Sequence, residues 1–483
     1  MDSSSAEPAG SSSAGPSAEP AASPSAGSSS AGPGPTSQPD PASNPDAIRR
    51  RQRTAALRRW AVAVAVYLIA VFHRTSLGVA GLQAASRFGI SPSQLSIFVL
   101  LQLGVYAAMQ IPTGILVDRY GPRRLLITAA TTMGLAQLLF AVAGSYPAAL
   151  LARALLGLGD ALTFVSVLRF AAGQFTPRRY PLVVALTGTL GSVGNVVATL
   201  PLTLLLRGLG WTPTFAVAGG LSLVSGLAVY AMLPRTSGRP GWPGSTTELS
   251  AAAGRVGQRV LQAWRLPGTR AGFWLHFTAM STSVMFGVLW GMPYLVQGQG
   301  FSRSSASALL LASVLVAIAA GPGIGYLIAR RPAVRVPLAI GSCLATVVGW
   351  YAVLAAFAGP VPRGLLIALV LLTAIGAPVS GIGFAVVRDY NGPAMVGTAT
   401  GVVNVAGFVA GIASCLILGW VLDAAGADTA GYRIAFAAAV AVQLAGLVEL
   451  VRWWLRARRS VLHALARGEP APVTIVRHRW DLR

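Results

Sequence analysis

Twelve long apolar runs constrain the fold of this chain more than any other feature. Each run reaches the roughly 20 apolar residues that a helix needs to cross a bilayer. Charged residues make up only 11% of the chain, whereas a soluble protein carries about 25%. The sequence therefore predicts an all-α membrane protein with transmembrane helices at 60–82, 94–117, 125–144, 147–169, 181–206, 212–233, 271–296, 305–329, 336–358, 364–387, 396–422 and 432–455.

The charge balance indicates how the helices are oriented. The formal net charge is +23, but the arginines lie in short loops rather than on one basic face, which argues against nucleic-acid binding. Paired arginines such as Arg123-Arg124 and Arg330-Arg331 alternate with loops that hold isolated ones, such as Arg207. By the positive-inside rule, both termini and the loop 234–270 are predicted to be cytoplasmic, in a multi-pass protein of the inner (plasma) membrane.

Composition also divides the chain into segments. Residues 1–48 are rich in Ser, Ala, Pro and Gly and are predicted to form a disordered cytoplasmic tail. Six apolar runs lie in 58–233 and six in 271–456, followed by a basic cytoplasmic tail at 457–483. Between the two sets, 234–270 shows apolar residues at helical spacing. This pattern predicts an amphipathic helix on the inner membrane surface, with a plain linker as the alternative.

An internal repeat relates the two sets of runs. The segment from Gly114 to Arg119 resembles the segment from Gly325 to Arg330, and Thr187-Gly188 corresponds to Thr400-Gly401. The sequence therefore predicts two homologous six-helix bundles. In transporters built from such repeats, the substrate site lies near the middle of the membrane, between the repeats.

Few ionisable residues interrupt the apolar runs. Asp160 is the only carboxylate in the middle of a run, and His73 and Arg74 interrupt the first run. Charges at that depth are costly and are functional-site hypotheses by default. Arg74 lies about 21 Å along its helix from Trp60 and Asp160 about 20 Å from the start of its own, at 1.5 Å per residue. Because the two helices run in opposite directions, both side chains are predicted to reach a similar depth.

Arg153 precedes Asp160 by seven residues. Seven residues are about two helical turns, so both side chains are predicted to lie on one face. A nearby arginine favours the ionised form of an acid, whereas burial favours its protonated form. The pair could therefore form a proton switch. A static structural ion pair is the alternative.

The loop between the second and third runs carries a motif. It reads Gly114-Ile-Leu-Val-Asp118-Arg119-Tyr-Gly121-Pro-Arg123-Arg124. This resembles the signature G-x-x-x-D-R-x-G-x-R-R of the major facilitator superfamily, and the twelve runs and long middle loop resemble that family over 58–456. The resemblance implies a gating role on the cytoplasmic side for Gly114, Asp118, Arg119, Gly121, Arg123 and Arg124. The second copy is degenerate, since Ala329 replaces Asp118.

The first run resembles the anion:cation symporter branch of that family. This branch carries an acid-Arg pair followed by Leu-x-Val-Ala, and here His73 replaces the acid before Arg74. The same branch places an arginine and an acid seven residues apart, as in Arg153 and Asp160. The resemblance implies that Arg74, His73 and Arg153 help to bind substrate, and that Asp160 or His73 carries the coupling proton. Asn195 and Asn404 are further candidates for the substrate path, with helix packing as the alternative.

These features predict a secondary active transporter rather than an enzyme. The main hypothesis is proton-coupled symport of a small organic anion by alternating access; the alternative is a proton-coupled multidrug or metabolite exporter of the same fold. No catalytic set, metal site or nucleotide-binding motif is recognisable in the sequence. The expected partners are the small molecule and the lipid bilayer, with the proton gradient instead of a cofactor, and the protein is expected to be a monomer.

Overall fold

The computed structural model describes residues 45–175, 180–235, 246–391 and 395–469. Of the described residues, 45–53 belong to one unit and those from Thr54 onward to a second. Within the first unit, the residues from Pro45 onward begin the helix Pro45–Thr75. The rest of the tail predicted at 1–48, and residues 470–483 of the tail predicted at 457–483, lie outside the described residues.

The fold is all-α, as predicted. Among the described residues, 12 helical segments are long and apolar enough to cross a membrane. They are numbered here as spans 1–12: Arg50–Thr75, Pro92–Gln110, Pro122–Val142, Tyr146–Gln174, Leu186–Gly208, Trp211–Met232, Pro267–Gly298, Arg303–Arg330, Pro332–Ala356, Arg363–Tyr390, Thr398–Ala425 and Thr429–Ala466. The helix of span 2 extends further and covers Pro92–Tyr120. The helices of spans 5 and 11 begin earlier, at Tyr180 and at Val396.

Several spans are interrupted at membrane depth. Span 4 comprises Tyr146–Ala161 and Thr163–Gln174, span 5 comprises Tyr180–Val197 and Leu200–Gly208, and span 10 comprises Arg363–Ala374, Gly376–Ser380 and Ile382–Tyr390. In span 7, Pro267–Met285 continues through the wide π-helical turns Phe286–Trp290 and Tyr294–Gly298, on either side of Gly291–Pro293. Membrane helices tolerate such breaks where neighbouring helices satisfy the backbone.

Three short elements connect the spans. The helix Leu77–Phe88 follows span 1 after a turn at Ser76, and one 3₁₀ turn, Pro332–Val334, precedes the helix Arg335–Ala356. A linker helix occupies Thr246–Arg265, where the sequence pattern predicts an amphipathic helix. Arg270 fixes its end, because Nε donates to the Trp264 carbonyl at 2.7 Å and the guanidinium lies 4.3 Å from the Trp453 ring centroid.

The spans pack mainly within two groups. Span 3 packs on spans 4 and 6 in the first group, here called the N-terminal half (spans 1–6). Span 7 packs on spans 11 and 12 in the second, the C-terminal half (spans 7–12). Span 2 lies along span 11, and span 5 lies against span 8, so these pairs form the boundary between the halves.

One glycine sets the distance between spans 2 and 4. A Cβ atom added to Gly157 would lie 2.4 Å from the backbone oxygen of Gln102 and 3.1 Å from its Cα. Both contacts are to backbone, which cannot rotate away. The close approach holds the first segment of span 4, Tyr146–Ala161, which carries Asp160, against span 2.

We expect Gly157→Ala to destabilise the protein by about 1–3 kcal/mol, the typical cost of forcing an extra methyl group into a packed interior. The melting temperature of the purified protein in detergent measures this. Gly104→Ala is the matched control, since nothing lies within 4 Å of a Cβ atom there. Its melting temperature should be unchanged or slightly raised, because alanine favours a helix. Equal melting temperatures for both variants would contradict the close approach of spans 2 and 4.

Candidate functional site

A cavity lies between the two halves. It has a volume of about 790 Å³ and is lined by residues of spans 1, 5, 7, 8, 10 and 11, together with residues from the short helix after span 1 and from span 2. This volume is within the roughly 300–1,000 Å³ typical of small-molecule sites. Arg74 is the only charged side chain among the described residues that line it.

Arg74 and Asp160 form a two-point ion pair at the cavity wall. The Arg74 Nε donates to Asp160 Oδ2 at 2.8 Å, and Nη2 donates to Oδ1 at 2.8 Å. The Arg74 side chain is 17% exposed and Asp160 is fully buried. The depth estimate from the sequence is confirmed, since the two side chains meet. Asp160 therefore lies behind Arg74, and only the arginine faces the cavity.

The break in span 4 positions the carboxylate. Asp160 lies in the last turn of Tyr146–Ala161, immediately before Leu162. The Thr163 hydroxyl donates to the Asp160 carbonyl at 2.7 Å, which satisfies part of the interrupted backbone. The end of the first segment therefore presents the carboxylate toward span 1.

Two aromatic rings, one from each half, pack next to each other beside the Arg74 guanidinium. The Arg74 guanidinium carbon lies 4.5 Å from the Tyr106 ring centroid of span 2. The Tyr106 ring lies 4.8 Å from the ring of Phe408 in span 11, which also lines the cavity. An arginine over an aromatic face gains a favourable cation–π interaction. This contact fixes the plane of the Arg74 guanidinium, and the edge of the guanidinium faces Asp160.

Arg153 does not pair with Asp160, so the static ion pair considered for these two residues is wrong. Arg153 is fully buried. Its Nη1 donates to Gln102 Oε1 at 3.3 Å, and its guanidinium lies 3.9 Å from the Phe140 ring centroid. Seven residues along a helix also separate two side chains by about 10.5 Å along the axis. Arg74, which comes from a different helix, is the residue that reaches the acid.

His73 points away from the cavity. Consecutive residues lie about 100° apart around a helix, so His73 and Arg74 face different neighbours. The His73 Nε2 lies 2.6 Å from Ser222 Oγ of span 6, and the ring is fully buried. Neither His73 nor Arg153 lines the cavity, and their predicted contribution to substrate binding has no contact there to support it.

The two asparagines are placed differently. Asn195 lines the cavity, and its buried Oδ1 has no hydrogen-bond partner among the described residues. Asn404 is half-buried and does not belong to the lining. The asparagine of span 5 is therefore available to a ligand in this cavity.

The loop motif between spans 2 and 3 lies where the sequence places it. Gly114, Asp118 and Arg119 lie at the end of the helix Pro92–Tyr120, and Gly121 has φ 80°, which suits glycine at the tight turn. Arg123 Nη2 donates to the Tyr230 carbonyl of span 6 at 2.7 Å, a contact within the N-terminal half, and Arg124 is exposed. The Asp118 side chain lies outside the described residues, so its gating contact stays a prediction.

The C-terminal half contributes packing and ion pairs that lie outside the cavity lining. Tyr294 is buried in an aromatic cluster with Trp350 and Phe436. Trp290 is also buried, and its Nε1 donates to the Cys415 carbonyl at 3.2 Å. Glu449 accepts from Arg452 at 2.9 Å, and Arg335 pairs with Asp389. His276 is buried, and its Nδ1 lies 3.1 Å from the Ser380 carbonyl.

Sequence reasoning missed the contribution of span 2. Gln102 contacts Arg153 and Tyr106 contacts Arg74. The signal is a four-residue spacing, since Gln102, Tyr106 and Gln110 follow one face of the helix. Neutral side chains in an apolar run attract less attention than charged ones, although this spacing marks a polar face.

Known proteins resemble this chain in sequence and in fold. The chain is 22% identical over 402 residues to the "Probable galactarate/D-glucarate transporter GudP" of Escherichia coli, a match over 76% of this chain and 88% of that protein. It is 27% identical over 158 residues to the "Probable sulfoacetate transporter SauU" of Cupriavidus necator, a match over 33% of this chain but only 37% of that protein.

The fold is also found among solved structures. A bacterial homologue of the human lysosomal transporter Spinster, in an inward-facing and unoccupied conformation, superposes with a TM-score of 0.65 at 15% identity, over 87% of this chain and 99% of that chain. The sequence profile described as Major Facilitator Superfamily matches residues 63–415. That match covers most of the chain, and it agrees with the twelve spans, the repeat and the loop motif: the chain belongs to the Major Facilitator Superfamily.

Proposed function

We propose that this transporter carries a small organic anion across the inner membrane by proton-coupled symport, with Arg74 as the anion site and Asp160 as the proton site. The observation that carries the proposal is the two-point ion pair of Arg74 and Asp160 at the cavity wall. Relatives named for transport of glucarate and sulfoacetate, both organic anions, support the substrate class.

The coupling follows from the charge of the buried site. With Asp160 ionised, the pair is neutral and the carboxylate occupies two donors of the Arg74 fork. A substrate carboxylate needs the same donors, since planar two-point binding is what a guanidinium offers. A proton on Asp160 releases the fork. The site is then neutral again when it holds one proton and one monovalent anion.

Partly loaded states carry a net charge. A proton alone leaves Arg74 uncompensated, and an anion alone leaves one negative charge in excess. Net charge inside the membrane costs a few kcal/mol or more. The empty and fully loaded states therefore exchange between the two sides of the membrane more readily than the partly loaded ones, and this difference couples anion movement to the proton gradient.

The outer ends of the halves are joined in this structure. We call the end at which span 2 begins and span 11 ends the outer end, which the arginine pattern places outside the cytoplasm. There, Thr203 and Ser307 hydroxyls lie 2.7 Å apart, Arg207 donates to Ser304 at 2.6 Å, and Ser96 donates to the Cys415 carbonyl at 2.7 Å. These contacts lie between the cavity and the outer loops.

Asp423 adds a carboxylate to this closure. Its Oδ2 accepts from the Ser91 hydroxyl at 3.1 Å, and its Oδ1 accepts from the Ser93 backbone N–H at 3.2 Å. Ser91 is the N-cap of span 2, and a carboxylate near a helix N-terminus is favourable. An acid of the C-terminal half therefore caps a helix of the N-terminal half, and we propose that this contact stabilises the outer-closed state.

We expect Asp423→Ala to open the outer end more often. The loss of an exposed charged contact worth about 1 kcal/mol raises the open population about five-fold. Cys415 reports this, because it is fully buried beneath the closure. In a Cys343→Ser background, its rate of maleimide labelling should rise by that factor.

The matched control is Asp428→Ala, since Asp428 caps span 12 within the C-terminal half at 2.8 Å from the Gly431 N–H. Labelling of Cys415 should be unchanged in this control. Equal rates in wild type, Asp423→Ala and Asp428→Ala would contradict the closing role.

Transport by reconstituted protein tests the proposed function. Proteoliposomes loaded with an alkaline buffer should accumulate the transported anion from an acidic medium, and a protonophore should abolish the accumulation. Counterflow with sugar acids, dicarboxylates and aromatic acids identifies the anion. Export of cationic dyes without counterflow of any anion would overturn the proposal in favour of the multidrug exporter.

A further inference from the structure

We infer that the substrate is a monovalent anion with a large apolar body, such as an arylalkanoate, rather than a polyhydroxylated or dicarboxylic acid. The inference rests on the proposed function and concerns the same cavity. Its first basis is the number of cationic side chains in the cavity lining. Among the described residues, Arg74 alone supplies positive charge to the lining. A second carboxylate on the ligand would have no cationic partner among these lining residues.

The second basis is the direction of the lining hydroxyls. Six of them donate their protons to backbone carbonyls of the protein at 2.6–3.2 Å. These residues are Thr75, Ser192, Thr199, Ser283, Ser313 and Thr373. A hydroxyl whose proton is used in this way can still accept a hydrogen bond but donates none to a ligand. Besides Arg74, the oxygens of a sugar acid therefore meet mainly the amide of Asn195 and the hydroxyl of Tyr67 as side-chain donors in this lining.

The third basis is the side of the cavity that the C-terminal half forms. Spans 7, 8, 10 and 11 line it with apolar side chains, namely Val284, Phe286, Val314, Ile318, Val370 and Phe408. The ring of Phe408 lies next to Tyr106, which lies under Arg74. A ligand that binds its carboxylate to Arg74 therefore extends its body along an aromatic and aliphatic surface. Burial of polar groups against such a surface without partners is unfavourable.

Binding of four probes to the purified protein tests the inference. The probes are 3-phenylpropionate, 2-phenylsuccinate, D-glucarate and 3-phenylpropan-1-ol, and the measurement is the Kd by calorimetry in nanodiscs. We expect 3-phenylpropionate to bind about tenfold more tightly than 2-phenylsuccinate and D-glucarate, because each extra buried polar group lacks a partner. The neutral alcohol should bind more weakly than the acid.

A pair of variants tests the location of the apolar body. Val314→Asn places an amide in the lining of span 8 and should weaken binding of 3-phenylpropionate about tenfold, by the same reasoning on buried polar groups. Leu315→Asn is the control, since Leu315 is 50% exposed and lies outside the cavity lining. Binding by this control should be unchanged. Equal binding by both variants would overturn the placement of the body.

The outcomes separate this inference from the proposed function. If D-glucarate binds as tightly as 3-phenylpropionate or more tightly, and Arg74→Ala abolishes that binding, the anion site stands and the apolar-body inference is wrong. If the neutral alcohol binds as well as the acid, and Arg74→Ala leaves both unchanged, the anion site itself is wrong.

Discussion

Replacement of Arg74 by alanine should abolish anion binding and transport. Removal of one partner of a buried charge contact costs about 2–5 kcal/mol, or roughly 30-fold to several thousand-fold in affinity. Arg74→Lys should recover little, because lysine offers a point charge instead of the two-point fork. The measurements are the Kd for the transported anion and the initial rate of counterflow.

Arg363→Ala is the control for Arg74→Ala. Arg363 is the first residue of span 10, its guanidinium carbon lies 5.8 Å from the Phe301 ring centroid, and it does not belong to the cavity lining. Its loss should leave affinity and rate unchanged. An Arg74→Ala protein that binds the anion with the affinity of wild type would remove Arg74 from the site.

Asp160→Asn should abolish uphill accumulation while counterflow survives. Asparagine has nearly the shape of a protonated aspartate but exchanges no proton, so Arg74 stays available to the anion on both sides of the membrane. The accumulation ratio in a proton gradient should fall to about one, the value for a site that no longer couples to the gradient. Uptake in a proton gradient and counterflow at equal pH measure the two activities separately.

A purely structural ion pair predicts a different result for Asp160→Asn. Arg74 would then lose its buried partner, and loss of one partner from a buried pair costs about 3–5 kcal/mol. Both activities would disappear together with a large fall in melting temperature. An Asp160→Asn protein that still concentrates the anion would exclude Asp160 as the proton site. His73, whose ring contacts the Ser222 hydroxyl, would then be the next candidate.

The transmembrane helices are predictable from sequence because the thickness of the bilayer imposes a minimum length of apolar sequence on each helix. Each of the twelve predicted runs corresponds to a span in the structure. The breaks at Leu162 and the π-helical turns from Phe286 to Gly298 were not predicted. Such breaks depend on which neighbouring groups satisfy the backbone, and the apolar pattern of a single helix carries no record of those neighbours.

The sequence predicts the depth of Arg74 and Asp160 along their helices, but it does not predict which arginine pairs with Asp160. Distances along two helices placed Arg74 and Asp160 at one level, and they meet. Spacing along one helix favoured Arg153 as the partner of Asp160, yet Arg153 contacts Gln102 and Phe140. The choice between partners depends on how spans 1, 2 and 4 pack, and close approach at Gly157 sets the distance between two of them, spans 2 and 4. Such contacts between helices are not encoded in the spacing of any one of them.

The same limit applies to side-chain direction. His73 and Arg74 are adjacent in the sequence, and the resemblance to symporters implied a role for both in the substrate site. In the structure, Arg74 lines the cavity and His73 faces span 6. The sequence places two polar residues at one depth, while the position of each neighbouring span decides which of them meets the cavity.

Proton uptake on anion binding tests the central claim most directly. The purified protein in weakly buffered detergent solution is mixed with the anion that gives the strongest counterflow, and a pH indicator records the protons taken up. At a pH where Asp160 is ionised in the empty protein, wild type should take up about one proton per bound anion, because the anion replaces Asp160 on Arg74. Asp160→Asn should bind the anion without proton uptake. Anion binding by wild type with no proton uptake, or equal uptake by Asp160→Asn, would contradict the exchange of carboxylates on Arg74.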